Sequence, residues 1–278
     1  MTTPTLSIEF FPPRDATGRT RLVSNVASKL AALGPEFFSV TYGAGGSTRE
    51  GTRQTVRALM EAGYKGVPHL SMGTDDQQTV HELLDQYRQD GVEGLVALRG
   101  DQPSGLGALK LNNAEALIGL IKKHSGGHFK LMVAAYPEVH PDARSASADM
   151  DFFQAKVDAG ASGAITQYFY NPDAYADFLD RCERRGITVP IVPGIMPITN
   201  FDSLVRFSNQ CGAEIPRWLR YRLEELRDDD EATQALGVEF VTKMCERLIK
   251  LGAPGFHFYS LNRWGATTQI CAGLGLTA

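Results

Sequence analysis

Two hydrophobic periodicities take turns along the chain. Short runs in which apolar residues alternate with polar ones, or crowd together, are followed by longer segments with an apolar residue every three or four positions. The first pattern predicts strands and the second amphipathic helices. Strand-like runs are LSIEFF (6–11), FFSVTYGA (37–44), KGVPHLSM (65–72), GLVALRG (94–100), KLMVAAYP (130–137), AITQYFY (164–170), TVPIVPGIM (188–196) and FHFYSLN (256–262). Helix-like segments lie between them, among them 21–33, 52–63, 77–91 and 113–124. In the first of these, Leu22, Val26, Leu30 and Leu33 fall on one helical face. Gly63, Gly91, Gly160 and Gly186 each follow such a segment, where a helix ends in the left-handed conformation that glycine adopts without steric cost.

Eight strands, each followed by a helix, predict a parallel sheet, and eight is the number that closes a barrel. The expected architecture is α/β, a single (β/α)8 TIM-type barrel domain spanning residues 1–278, with an open doubly wound sheet as the alternative. The seventh unit is longer than one crossover needs. Residues 201–210, 215–226 and 231–252 all carry a helical pattern, so extra helices between strands 7 and 8 cap one end or form a subunit contact. The acids Asp228 to Glu231 suit a helix N-terminus, where the macrodipole favours negative charge. WGATTQICAGLG (264–275) supplies the last helix.

In a barrel of this kind the chemistry sits at the C-terminal strand ends. There the chain places Glu9, then Thr41 and Tyr42, His69, Arg99 to Asp101, Tyr136 with Glu138 and His140, Thr166 to Tyr168, and Asn262 with Arg263. Nearly every strand ends on a polar group, although the strands themselves are apolar. That convergence argues for an enzyme. Glu9 is the sharpest signal. Leu6, Ile8 and Phe10 form one greasy face, Pro12 and Pro13 end the strand, and an acid so placed must be paired, wetted or used. The other groups also have plain structural readings: a core histidine at 69, a rim ion pair between Arg99 and Asp101, an amide at Gln167 bonded to backbone.

Composition narrows the field. An apolar fraction of 43%, a charged fraction of 22% and a net charge of −4 describe an ordinary globular protein with no bulk attraction to nucleic acid or anionic membranes. The four cysteines are far apart and form no C-x-x-C pair, as expected of reduced cysteines in a cytoplasmic protein. The N-terminus has no signal-peptide pattern, and no apolar run is long enough to span a bilayer. GAGGST (43–48) has Thr48 where a dinucleotide fingerprint needs its third glycine, and HELLD (81–85) lacks the second histidine of a zinc site. Gly126 and Gly127 break any helix that would align His124 with His128. No metal site is expected.

IEFFPPR (8–14), SVTYGA (39–44), VPHLS (67–71), VALRGD (96–101), AAYPEVHP (134–141), KVDAGA (156–161), AITQYFY (164–170), PGIMPITNF (193–201) and FHFYSLNR (256–263) together resemble the bacterial methylenetetrahydrofolate reductase family. The resemblance implies an FAD-containing barrel that reduces 5,10-methylenetetrahydrofolate to 5-methyltetrahydrofolate, supplying methyl groups for methionine synthesis. Electrons come from NADH or NADPH through the flavin, in two half-reactions sharing one site, and the relatives form homo-oligomers. It assigns Glu9 as a general acid, with a pKa raised by burial, that protonates a folate ring nitrogen. Asp101 lies beside flavin and pterin, and Gln167, Phe201, Arg263 and Thr41 are placed at the substrate. FAD contacts carry over to Thr41, Tyr42, Ala44, His69, Arg99, Gly100, Asp101, Tyr136, His140, Asp149 and Lys156. Relatives often have further basic or polar residues just before the lysine of KVDAG. Here that stretch is FFQAK, with Phe152, Gln154 and Ala155, which leaves the grip on the adenosine half of FAD open. A flavin-free folate barrel that transfers a one-carbon group, or a non-catalytic barrel, would share the fold and be colourless.

Overall fold

The computed structural model describes residues 4–42, 49–71, 76–98 and 114–276. Its strands are β1 (Thr5–Phe10), β2 (Phe37–Val40), β3 (Gly66–Ser71), β4 (Gly94–Leu98), β5 (Lys130–Ala135), β6 (Gly163–Thr166), β7 (Ile191–Val192), β8 (Gly194–Ile195) and β9 (Gly255–Tyr259). All pairings are parallel, in the order β7-β6-β5-β4-β3-β2-β1-β9-β8. The two ends of that order, β7 and β8, are consecutive in the chain and separated only by Pro193. They act as one interrupted strand: Ile191 and Val192 pair with β6, whereas Gly194 and Ile195 pair with β9. The backbone N–H of His257 donates to the Pro193 carbonyl at 3.0 Å, which completes the ring. The expected run 188–196 is therefore split, because proline has no N–H to continue a ladder.

Helices cover the outside. α1 (Ala16–Arg21) runs through a π-helical stretch, Leu22–Ala27, into α2 (Ser28–Ala31). Then come α3 (Arg49–Glu61), α4 (Gln77–Gln89), α5 (Ala114–Ser125), α6 (Ala146–Asp158) and α7 (Pro172–Arg184). Between β8 and β9 lie α8 (Phe201–Cys211), α9 (Arg217–Glu224) and α10 (Asp230–Lys250), and α11 (Gly265–Gly273) follows β9. Asp229 caps α10 by accepting from the Ala232 N–H, with Asp230 and Glu231 in the first turn. Gly63, Gly91, Gly160 and Gly186 all have positive φ, between 69° and 108°, at the helix ends where the pattern places them.

Strand alternation sorts the side chains. Leu6, Ile8 and Phe10 point outward into the main core beneath the helices, with Phe10 stacked on Phe38 at 5.1 Å. A smaller cluster, Val67, Val96 and Ile165, is packed by Phe37, Leu98, Met132 and Tyr259. These residues share strand parity with Ser7 and Glu9, which puts the acid on the barrel's inner face.

Candidate active site

A cavity of about 1400 Å³ opens over the C-terminal strand ends, and it is lined by Glu9, Thr41, Tyr42, His69, Tyr136, His140, Asp149, Lys156 and Gln167. Residues from five strand–loop units are thus brought to one mouth. Ala44, Arg99, Gly100 and Asp101 lie outside the described residues. Phe201 does not face this cavity. It is 4% exposed at the start of α8 and belongs to the main core, while Phe207, later in the same helix, lines the mouth. Arg263 lines an adjoining groove of about 410 Å³ together with Arg21, Asn25, Asn262 and Trp264. Pro13 borders both spaces.

Glu9 is held by the far end of the chain. In register, β1 places Ser7 opposite His257 and Glu9 opposite Tyr259. His257 is fully buried; its Nδ1 lies 2.7 Å from Ser7 Oγ and its Nε2 3.4 Å from Glu9 Oε2. His69 Nε2 lies 3.3 Å from the same carboxylate oxygen, close enough for attraction but poorly aligned for a hydrogen bond. Ser260 Oγ donates to the Glu9 carbonyl at 2.6 Å. The Asn262 side chain both accepts from the Phe11 N–H and donates to the Phe11 carbonyl, at 2.9 Å each. Leu261 and Asn262 adopt left-handed backbone conformations, φ 51° and 57°, so this loop is strained and pinned at once.

The electrostatics correct one expectation. Burial does push the Glu9 carboxyl upward, and it is the largest single influence. Attraction to His69, together with the hydrogen bond from His257, outweighs it and holds the pKa down at about 2. Burial lowers the His257 pKa, against partial opposition from Glu9. His257 is therefore neutral at pH 7. The consistent tautomer has Ser7 O–H donating to Nδ1 and Nε2–H donating to Glu9. A neutral imidazole still steadies the anion by donating a hydrogen bond.

Two buried polar atoms on the cavity wall, Thr41 Oγ1 and His69 Nε2, have no hydrogen-bond partner among the described residues. Lys156 reaches in from α6 and donates from Nζ to the Ala134 carbonyl at 2.5 Å. Burial lowers its pKa to about 8, Asp149 partly opposing. His140 Nδ1 accepts from the Asp142 N–H at 3.0 Å, its backbone N–H donates to Asp149 Oδ2 at 3.2 Å, and its ring meets Tyr136 edge-on at 4.4 Å. Gln167 Oε1 accepts from the Tyr168 N–H at 3.0 Å, which fixes the amide's direction. Tyr259 donates from its hydroxyl to the Thr166 carbonyl at 2.7 Å, and Thr166 Oγ1 accepts from the Gly194 N–H at 2.9 Å. Among the described residues no cluster of histidine, cysteine and acid is built to hold a metal ion. No described helix is long and apolar enough to cross a membrane.

Sequence reasoning did not single out Ser7, His257, Tyr259 or Phe207, all but Ser7 of which line the cavity; Phe152, marked by the FFQAK stretch, lines it too. A signal existed for the first three. Ser7 shares the inward face of its strand with Glu9, and in FHFYSLN the polar members His257 and Tyr259 alternate with Phe256 and Phe258.

Comparison with known proteins adds an independent line. Residues 1–275 match the family described as methylenetetrahydrofolate reductase. The chain is 39% identical over 272 residues to a 5,10-methylenetetrahydrofolate reductase of Pectobacterium carotovorum, covering 98% of this chain and 90% of that one. The Escherichia coli protein of the same name is 38% identical over the same shares. A plant protein, methylenetetrahydrofolate reductase (NADH) 1 of Arabidopsis thaliana, is 34% identical across 97% of this chain and 48% of its own. Among solved structures, an uncharacterized protein from Clostridium thermocellum that binds two copies of 5-methyl-5,6,7,8-tetrahydrofolic acid superposes with a TM-score of 0.73. It is 18% identical and covers 99% of this chain and 94% of that one, a likeness of fold.

Proposed function

The chain belongs to the methylenetetrahydrofolate reductase family, and from that premise we propose that it reduces 5,10-methylenetetrahydrofolate to 5-methyltetrahydrofolate with FAD bound in the cavity and NADH or NADPH as electron source. The observation that carries this reading is a carboxylate set between two histidines at the floor of a cavity large enough for a flavin and a second flat ring. The product serves methionine synthesis as a methyl donor.

The residues present fit FAD. Lys156 is a half-buried cation suited to a diphosphate, and the Thr41 hydroxyl and the His69 nitrogen, neither of them in a hydrogen bond among the described residues, suit the polar edge of an isoalloxazine. FAD, when bound, carries hydride equivalents from the nicotinamide to the folate, so both substrates use the same cavity in turn.

The protein's own contribution is proton handling and orientation. Glu9 donates to a folate ring nitrogen, which opens the imidazolidine ring to a cationic iminium ready for reduction. In the free site its two histidines hold Glu9 ionised, so the carboxylate must first take up a proton from solvent before it can pass one to the folate. Covering Glu9 with a pterin removes its remaining 12% side-chain exposure and favours the protonated carboxyl over the anion. Ser7 and His257 fix the carboxylate's direction, and Gln167 offers an amide to the pterin edge. Asp101 is assigned to stabilising the iminium through its charge. Arg263, in the adjoining groove, is assigned to the glutamate carboxylate of the folate.

The purified chain is expected to be yellow and to bleach with NADH or NADPH. Glu9→Gln should still bleach yet fail to recover its colour on adding methylenetetrahydrofolate. A colourless protein that gains no flavin, or normal folate turnover by Glu9→Gln, overturns the proposal.

A further inference from the structure

We propose that Phe152 is the platform on which the adenine ring of the bound dinucleotide stacks, so that this side chain sets the preference for FAD over flavins lacking adenosine. The inference rests on the FAD reading above and deepens it. Asp149, Phe152 and Lys156 all line the large cavity. Their spacing of three and then four residues along α6 puts them on one helical face. Phe153, one position on, turns the other way and is 3% exposed in the main core, packed on Phe178 at 5.3 Å. The helix thus sends one phenyl ring inward and the next to the cavity rim. Phe152 is 63% exposed there.

The other exposed large apolar side chains are placed differently. Trp218 and Tyr221 belong to α9 and do not line the cavity, and Trp264 is covered by the Lys29 ammonium at 4.0 Å. Among the described residues, Phe152 is the exposed aromatic that shares a cavity wall with a half-buried lysine. Lys156, one turn further along α6 toward the barrel, is the natural seat for a diphosphate. A ligand that places its diphosphate against Lys156 and its flavin ring over Glu9 has its adenosine left for the outer rim. An aromatic face there covers a purine without reading its edges, since every base presents a π-surface. The stretch holds no basic side chain between Asp149 and Lys156, so stacking takes the place of charge at this end of the cavity.

The test uses the apoprotein and three flavins, FAD, FMN and riboflavin, titrated by flavin fluorescence and absorbance against wild type, Phe152→Ala and Phe152→Trp. Loss of a stacking face is expected to weaken FAD about tenfold in Phe152→Ala. FMN and riboflavin should bind that variant as they bind wild type, and Phe152→Trp should restore or tighten FAD. ADP alone should bind wild-type apoprotein about tenfold more tightly than Phe152→Ala apoprotein. Equal FAD affinity in wild type and Phe152→Ala, or equal losses for FAD and FMN, overturns the platform. If wild type binds no flavin at all, the reductase reading itself falls, a result distinct from either of those.

Discussion

Replacing Glu9 by glutamine keeps the side chain's shape and removes its charge, so it isolates what the histidines do for the folded state. Two opposing effects meet at this residue: burial, which favours a neutral side chain, and attraction to His69 and His257, which favours the anion. The anion prevails, since the pKa falls from 4.5 to about 2. Such a drop corresponds to about 3 kcal/mol of folding free energy at neutral pH. The sign follows from the depressed folded-state value. The contribution is present above the unfolded value near 4.5 and is lost as pH falls toward 2. Equilibrium urea unfolding, followed by far-UV circular dichroism from pH 7 to pH 3, reads it directly. Wild type should exceed Glu9→Gln by about 3 kcal/mol at pH 7, and the gap should narrow steadily below pH 4.5. A gap that stays constant down to pH 3, or a glutamine variant more stable than wild type at neutral pH, would refute the reasoning, because it would mean burial outweighs the histidines.

Three further outcomes follow from the geometry. Lys156 has a pKa lowered by burial, so the folded chain sheds this proton before the unfolded chain does. The stability difference between wild type and Lys156→Met should therefore shift in favour of wild type as pH rises from 8 to 9.5, with no shift below 8, as read by urea unfolding; wild-type affinity for FAD should fall over the same range as the cation is lost. A Cβ at Gly194 would collide with the Thr166 carbonyl and the Tyr259 ring, so Gly194→Ala should cost at least about 3 kcal/mol and lower the melting temperature, measured by calorimetry. Asn262→Ala gives up both bonds to Phe11 and should lose about 2 kcal/mol, together with slower recovery of oxidised flavin on adding methylenetetrahydrofolate, while bleaching by nicotinamide nucleotide is unchanged.

What the pattern of residues reveals is local. Alternation in LSIEFF predicts the outward face of Leu6, Ile8 and Phe10, and the structure has it. The acids before α10 predict its cap, and Asp229 provides it. Features that depend on distant partners were not legible. Burial of Glu9 could be inferred from its strand, but His257 stands 248 positions away, so the direction of the pKa shift was misjudged. The split at Pro193 escaped because TVPIVPGIM reads as one apolar run, and only the pairing partners on either side reveal two short strands. Helix phase explains the two phenylalanines of α8. Phe201 and Phe207 are six apart, more than one and a half turns, so when the first faces the core the second turns toward the mouth.

The closure of the barrel has a consequence for its biogenesis. β1 emerges early in synthesis, yet the strand that completes its hydrogen bonding, β9, and the loop that clamps Phe11 come some 250 residues later. Until then Glu9 has neither His257 nor the Ser260 bond to hold it. A nascent chain stopped short of Gly255 carries the acid on an open sheet edge, so the histidine that steadies the carboxylate and the finished ring appear in the same late event.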